Sequence, residues 1–168
     1  MSGIIVYRSS YGSTRQYAEW IHEETGFPLF DHRDQTIPWN VDTTVLGCPI
    51  IASKPYLLGW MQKNWERMRE SRVLLFTTSG ADPAVAPVRE WIEQALPEDM
   101  RSAVRVFPLA GRFRFSELGI LHKVMMGVGA LILRNEGIKY RIAHPVDNVA
   151  RENLDGLLRS IKAPSALH

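Results

Sequence analysis

Residues 9–14, Ser-Ser-Tyr-Gly-Ser-Thr, place Ser9, Ser10, Gly12, Ser13 and Thr14 between an apolar run and a helical pattern. A loop that only turned could use Gly, Asn or Asp. Hydroxyl donors in this number suit an anion. The first N–H groups of a helix have no partner inside it, and the helix dipole puts partial positive charge there. Small hydroxyl residues set before them make a phosphate nest that needs no Lys or Arg. The alternative is a serine-rich helix cap with no ligand.

Other phosphate-binding patterns are absent from the sequence. No Gly-x-x-x-x-Gly-Lys-Ser/Thr is present, and no Gly-x-Gly-x-x-Gly opens the first helix. The first strand ends in Arg8-Ser9 without paired carboxylates, which disfavours a phospho-accepting receiver domain. Cys48 lacks the following Arg of a cysteine phosphatase and reads as a small apolar filler. Ser79 has no partner His and Asp at a recognisable spacing, so hydrolase chemistry is rejected. His22, His32, His144 and His168 show no mutual spacing, and no metal site is expected. His122 lies beside Lys123 and reads as a surface residue or a substrate contact.

The elements that must position the nest alternate. Residues 3–8 are a β-branched run, and in residues 14–24 Tyr17, Ala18 and Ile21 share a helical face. A weak strand at 29–31 is followed by a strand at 44–48, a loop at 49–56, and a helix with Leu57, Met61, Trp65 and Met68 on one side. Residues 72–78 are the clearest strand. Asp82-Pro83 then caps a helix carrying Val85, Val88, Ile92 and Leu96 inward. A strand at 104–110 comes next. The segment 111–141 breaks the rhythm, with a basic, aromatic lead and an apolar stretch at 124–133, closing on a helix stop at Gly137. Asp147 is expected to cap a final helix with Val149, Leu154, Leu157, Leu158 and Ile161 inward. Alternating strands and helices imply a parallel sheet covered on both faces. Residues 1–162 read as one domain and 163–168 as a flexible tail.

Composition narrows the class further. The 168 residues are 45% hydrophobic and 23% charged, as in a globular chain rather than a disordered one. One cysteine excludes an internal disulfide and fits a reducing compartment. No secretory signal is read at the start, and the apolar run at 124–133 falls short of a bilayer span. A net charge of +2 with no basic stripe gives no reason to expect nucleic acid.

The loop at Ser9-Ser10-Tyr11-Gly12-Ser13-Thr14 resembles the FMN-phosphate loop of flavodoxins, departing at Tyr11, where that family usually has threonine. Gly47-Cys48-Pro49-Ile50-Ile51 falls where flavodoxins have their second loop, and Thr77-Thr78-Ser79-Gly80-Ala81-Asp82 where they have their third. The resemblance implies a flavodoxin-like α/β fold: a doubly wound, five-stranded parallel sheet in the order 2-1-3-4-5. It also implies FMN as cofactor, with the phosphate held by Ser9, Ser10, Tyr11, Gly12, Ser13 and Thr14. The ring would be bracketed by Pro49, Ile50 and Ile51 on one side and Thr78, Ser79, Gly80 and Asp82 on the other. Tyr56 is preferred over Trp60 as a stacking ring, because Trp60 shares its helical spacing with Trp65 and suits core packing. Helix capping alone also explains Asp82.

Ala110-Gly111-Arg112-Phe113-Arg114-Phe115, followed by an apolar helix, a return strand and a terminal helix, is similar to the quinone-dependent protoporphyrinogen dehydrogenases of heme biosynthesis. The reaction implied is hydride or electron transfer through the flavin, which requires no catalytic side chain from the protein. Electron-shuttling flavodoxins are typically acidic, whereas this chain is mildly basic. That balance disfavours a simple shuttle and favours an anionic small-molecule substrate near Arg112 and Arg114, or an anionic membrane surface, with a solvated charge cluster as the alternative. The resemblance itself implies a quinone or a redox partner. The expected setting is the cytoplasm or the inner face of the membrane. Segment 112–133 is left with three outcomes: packing on the sheet, pairing with a second subunit, or lying on a membrane. A lid or interface beside the flavin is preferred. Two other readings stand, an electron-transfer protein without a substrate and an interaction module of the same fold that has lost flavin.

Overall fold

The computed structural model describes residues 2–80, 83, 87–113 and 146–163. β1 (Gly3–Tyr7) leads into α1 (Ser13–Thr25) and then β2 (Leu29–Asp31). β3 (Thr43–Ile51) and β4 (Lys54–Pro55) are followed by α2 (Leu58–Met68) and β5 (Arg72–Ser79). Next come α3 (Val88–Ala95), α4 (Glu98–Ala103) and β6 (Val104–Ala110). β7 (Arg112–Phe113), β8 (Val146–Asp147), a 3₁₀ turn at Arg151–Leu154 and α5 (Asp155–Lys162) complete the described chain.

The strand order is β2-β1-β3-β5-β6, every neighbouring pair parallel. Counting those five strands in chain order gives 2-1-3-4-5, the doubly wound arrangement expected. Alternation along each strand divides the core between the two faces. Ile4, Val6, Leu46, Cys48, Val73, Leu75, Val104 and Val106 point to the side covered by α2, α3 and α4. Ile5, Val45, Leu74, Phe76 and Leu109 point to the side covered by α1 and α5. Because both faces are covered, these strands read as continuous apolar runs.

Several expectations shift. The loop expected at 49–56 is a hairpin: β3 runs on to Ile51 and pairs antiparallel with β4, Ile50 opposite Pro55 and Ile51 opposite Lys54. Ala52 and Ser53 turn it with φ of 50° and 61°, a double positive φ that matches the twist of a two-residue hairpin. Pro83 sits in a turn, and α3 starts at Val88 rather than at the expected Asp82-Pro83 pair. Asp147 caps no helix. It lies on β8 opposite Arg112, and α5 starts only at Asp155, after the 3₁₀ turn. Leu154, Leu157 and Ile161 are buried as expected, with Val149 and Leu158 partly so. Asp82, Val85, Arg114, Gly137 and all of segment 112–133 beyond Phe113 lie outside the described residues, as does the expected tail beyond Ala163.

Candidate functional site

Parallel strands deliver their outgoing loops to one edge, and three of those loops are tied together here. Arg8 N–H, just past β1, donates to Gly47 O on β3 at 2.9 Å. Thr14 and Thr78 meet through their hydroxyls at 2.8 Å, both buried, so the start of α1 is pinned to the end of β5. Gly47 permits a close approach that no other residue would, since a Cβ there would sit 2.2 Å from the Phe76 ring.

The nest itself is held by short-range bonds. Gly12 precedes α1 with φ 87°, a left-handed conformation suited to glycine. Its carbonyl accepts Gln16 N–H at 2.9 Å, and its own N–H donates to Ser9 Oγ at 3.2 Å. The residue capping α1 is therefore a glycine making no side-chain cap bond, which departs from a serine cap. A Cβ built on Gly12 would meet nothing within 4 Å. That open side is where a phosphate group has room. Ser9 and Ser13 accept backbone N–H groups, Ser13 from Arg112 at 3.0 Å, so each keeps its hydroxyl proton for a further acceptor. Ser10 is exposed and Tyr11 half-buried at the same loop.

Neither flanking arginine is committed to the nest. Arg15 pairs with Glu19 at 2.8 Å along α1. The Arg8 guanidinium lies 3.4 Å from the centroid of the Tyr56 ring, a cation–π contact across the first and second loops. Tyr56 is the exposed large hydrophobic side chain among the described residues, at 37%. Trp60 instead packs with Trp39, centroids 5.8 Å apart, against the core. The structure thus leaves Tyr56 as the available ring and fills one of its faces with Arg8.

Pro49, Ile50 and Ile51 lie on the outgoing end of β3, and Thr78, Ser79 and Gly80 on that of β5, with Pro49 opposite Thr78 in register. The fold therefore brings these positions to the edge that carries the nest. Thr77, which opens the third-loop motif but was not among the residues expected to hold the ring, has a buried hydroxyl with no partner among the described residues. Cys48 is fully buried, and burial pushes its thiol up to about 12, which suits a small core filler. Among the described residues no group of His, Cys, Asp or Glu could hold a metal ion, and no helix is long and apolar enough to cross a membrane.

Arg112, expected beside an anionic substrate, donates from Nε to Asp147 Oδ2 at 2.7 Å and is neutralised there. Tyr17 anchors the neighbouring chain. Its hydroxyl donates to Ala110 O at 2.7 Å and accepts from Asn153 Nδ2 at 2.7 Å and Ala150 N–H at 3.3 Å. Burial raises the pKa of this phenol.

A doubly wound parallel sheet in the order 2-1-3-4-5, with a hydroxyl-rich loop at its outgoing edge, is a flavodoxin-like α/β architecture. The sequence model of the flavodoxin domain matches residues 4–135. The chain belongs to that family. It has a likeness to a solved structure from Bacteroides uniformis, 14% identical, covering 66% of this chain and 92% of that one, with a TM-score of 0.48. A WrbA-like flavodoxin from Agrobacterium tumefaciens is 15% identical, covering 71% of this chain and 85% of that one, with a TM-score of 0.47. An archaeal flavodoxin is 18% identical, covering 63% of this chain and 82% of that one, with a TM-score of 0.38. No curated protein matches the chain.

Proposed function

We propose that the protein is an FMN-binding oxidoreductase. The single observation that carries this is the Thr14–Thr78 hydrogen bond, which joins the nest at the start of α1 to the end of β5. It pins two of the loops that a flavin would have to touch at once. Ser9, Ser10, Tyr11, Gly12, Ser13 and Thr14 would hold the phosphate, through hydroxyl and N–H donors rather than arginines. Pro49, Ile50, Ile51 and Tyr56 on one side, and Thr78, Ser79, Gly80 and Asp82 on the other, would orient the ring and keep water from it. FMN, when bound, supplies hydride or electron transfer at its N5. The open side of Gly12 and the Thr77 hydroxyl, which has no partner among the described residues, fit a ligand of this kind.

The substrate proposed is a porphyrinogen-like molecule or a quinone, in a protein working in the cytoplasm or at the inner face of the membrane. Segment 112–133 would serve as a lid or subunit interface, with Arg112 and Arg114 beside the substrate, in a chain forming one domain over residues 1–162. A second reading, an electron-transfer protein without its own substrate, is favoured by one observation: Arg112 is already paired with Asp147. The first test is colour. Purified protein should carry flavin absorbance or acquire it with added FMN, and colourless protein that refuses FMN defeats both readings and leaves an interaction module of the same fold. The second test is protoporphyrinogen oxidation with menaquinone as acceptor. Turnover supports the enzyme, and reduction of a redox protein alone supports the shuttle.

A further inference from the structure

The nest does not set its own hydroxyls. Ser13 is buried, and its Oγ accepts the backbone N–H of Arg112, which stands 99 residues further along the chain. Arg112 is held in turn by a short stem. β7 pairs antiparallel with β8, Arg112 opposite Asp147, and Arg112 Nε donates to Asp147 Oδ2 at 2.7 Å. Gly111 N–H donates to Ser79 O at 2.8 Å, and Asn148 N–H to Gly111 O at 3.3 Å. The stem is thereby fixed to the end of β5 as well as to α1. A hydroxyl whose oxygen accepts one hydrogen bond keeps its proton to donate, and the accepted bond polarises that O–H.

We propose that the β7–β8 stem is the positioning element of the anion nest. Arg112 N–H orients the Ser13 hydroxyl toward a bound phosphate group, and Asp147 is the positioning residue that keeps Arg112 in place. This rests on the phosphate-nest part of the proposed function, and any phosphomonoester satisfies it. The reciprocal follows from linkage: whatever the stem adds to anion affinity, a bound anion adds to the stability of the stem.

The experiment has two arms on the full chain. FMN dissociation constants are measured for the wild type, Ser13→Ala, Asp147→Asn and the double variant. Amide exchange at Arg112 and Asn148 is measured by NMR in the wild type and Ser13→Ala, with and without FMN or inorganic phosphate. Asp147→Asn should weaken FMN binding by about fivefold, and Ser13→Ala by at least as much. The double variant should be no weaker than Ser13→Ala alone, because Asp147 acts through Ser13. Exchange at the Arg112 amide should slow on adding either ligand in the wild type and stay unchanged in Ser13→Ala. Unchanged affinity in Asp147→Asn, additive losses, or wild-type exchange indifferent to bound ligand overturns the proposal. Protein that binds phosphate with these exchange effects but refuses FMN keeps the positioning role and loses the flavin, and protein that binds neither loses both.

Discussion

The hydroxyls of Thr14 and Thr78 lie 2.8 Å apart in a buried hydrogen bond that spans 64 residues of sequence. It joins the first turn of α1 to the last residues of β5, at the edge where the nest stands. Replacing Thr78 with Val keeps its shape but strands the Thr14 hydroxyl, at a cost of about 1–3 kcal/mol in stability. Urea unfolding should show that loss. Changing both residues to Val removes both polar groups and should recover most of it, while FMN affinity stays low because the Thr14 donor is gone. A double variant as unstable as the sum of the single ones would reject this pairing.

Gly12 separates backbone strain from ligand room. Its φ of 87° costs a side-chain-bearing residue about 1–2 kcal/mol, yet a Cβ there meets no protein atom within 4 Å. Gly12→Val should therefore fold, with a modest drop in melting temperature, and fail to bind FMN. Unchanged FMN affinity in the folded variant would place the phosphate elsewhere.

The arginines flanking the nest are occupied, Arg15 by Glu19 and Arg8 by the Tyr56 ring. Ser9→Ala and Thr14→Ala should each weaken FMN binding by about 1.5–3 kcal/mol, the worth of a hydrogen bond to a charged group. Arg15→Ala should weaken it less, and the affinity should depend only slightly on salt. An FMN titration giving the reverse ranking would show that the arginines neutralise the phosphate.

The hairpin turn at Ala52 and Ser53 holds two side-chain-bearing residues at positive φ. Asn-Gly suits such a turn far better. Ala52→Asn with Ser53→Gly should raise stability by about 1 kcal/mol, since each left-handed residue other than glycine costs on that order. A thermal melt no higher than that of the wild type would mean that the surrounding chain, and not the turn, fixes this geometry.

His32 gives stability a pH dependence. Its N–H donates to Tyr7 O at 3.0 Å, while its ring Nδ1, 3.1 Å from Asp31 Oδ1, is too poorly directed for a hydrogen bond. Desolvation lowers the imidazole pKa below its ordinary 6.5, with the nearby Asp31 opposing and Arg8 and Arg33 adding to the shift. Between the lowered folded value and 6.5 the unfolded chain binds the extra proton. Stability from this group is complete above 6.5 and is lost as pH falls through that window. The Asp31 carboxyl, lowered chiefly by the Arg33 hydrogen bond, loses its share only as pH falls below 3.8. Unfolding followed against pH should fall off more weakly in His32→Gln, and an identical fall-off would assign the acid sensitivity to other groups.

Much of the frame was legible because its signals are local. The apolar runs at 4–6 and 73–76, and the spacing of Tyr17, Ala18 and Ile21, mark strands and a helix by period alone. The hairpin at 49–56 was missed because Ala52 and Ser53 are not the Asn and Gly that a turn with two positive φ values favours, and Pro55 argues against a strand. α4 is six residues long, too short for a periodic signal. Asp147 reads locally as a helix cap, yet its partner Arg112 stands 35 residues earlier.

By itself, then, the sequence determined the alternation of elements, the faces they bury, and a loop whose hydroxyls suit an anion. Those properties depend on neighbours within a turn or two, where backbone geometry translates spacing directly into direction. Only the tertiary structure decided which partners those hydroxyls and arginines meet: Thr14 with Thr78, Ser13 with Arg112, Arg8 with Tyr56, and Tyr17 with Asn153 across 136 residues. Such pairings follow from the order of strands in the sheet. That order is set by burying both faces of the whole sheet at once, and no short stretch of residues encodes it.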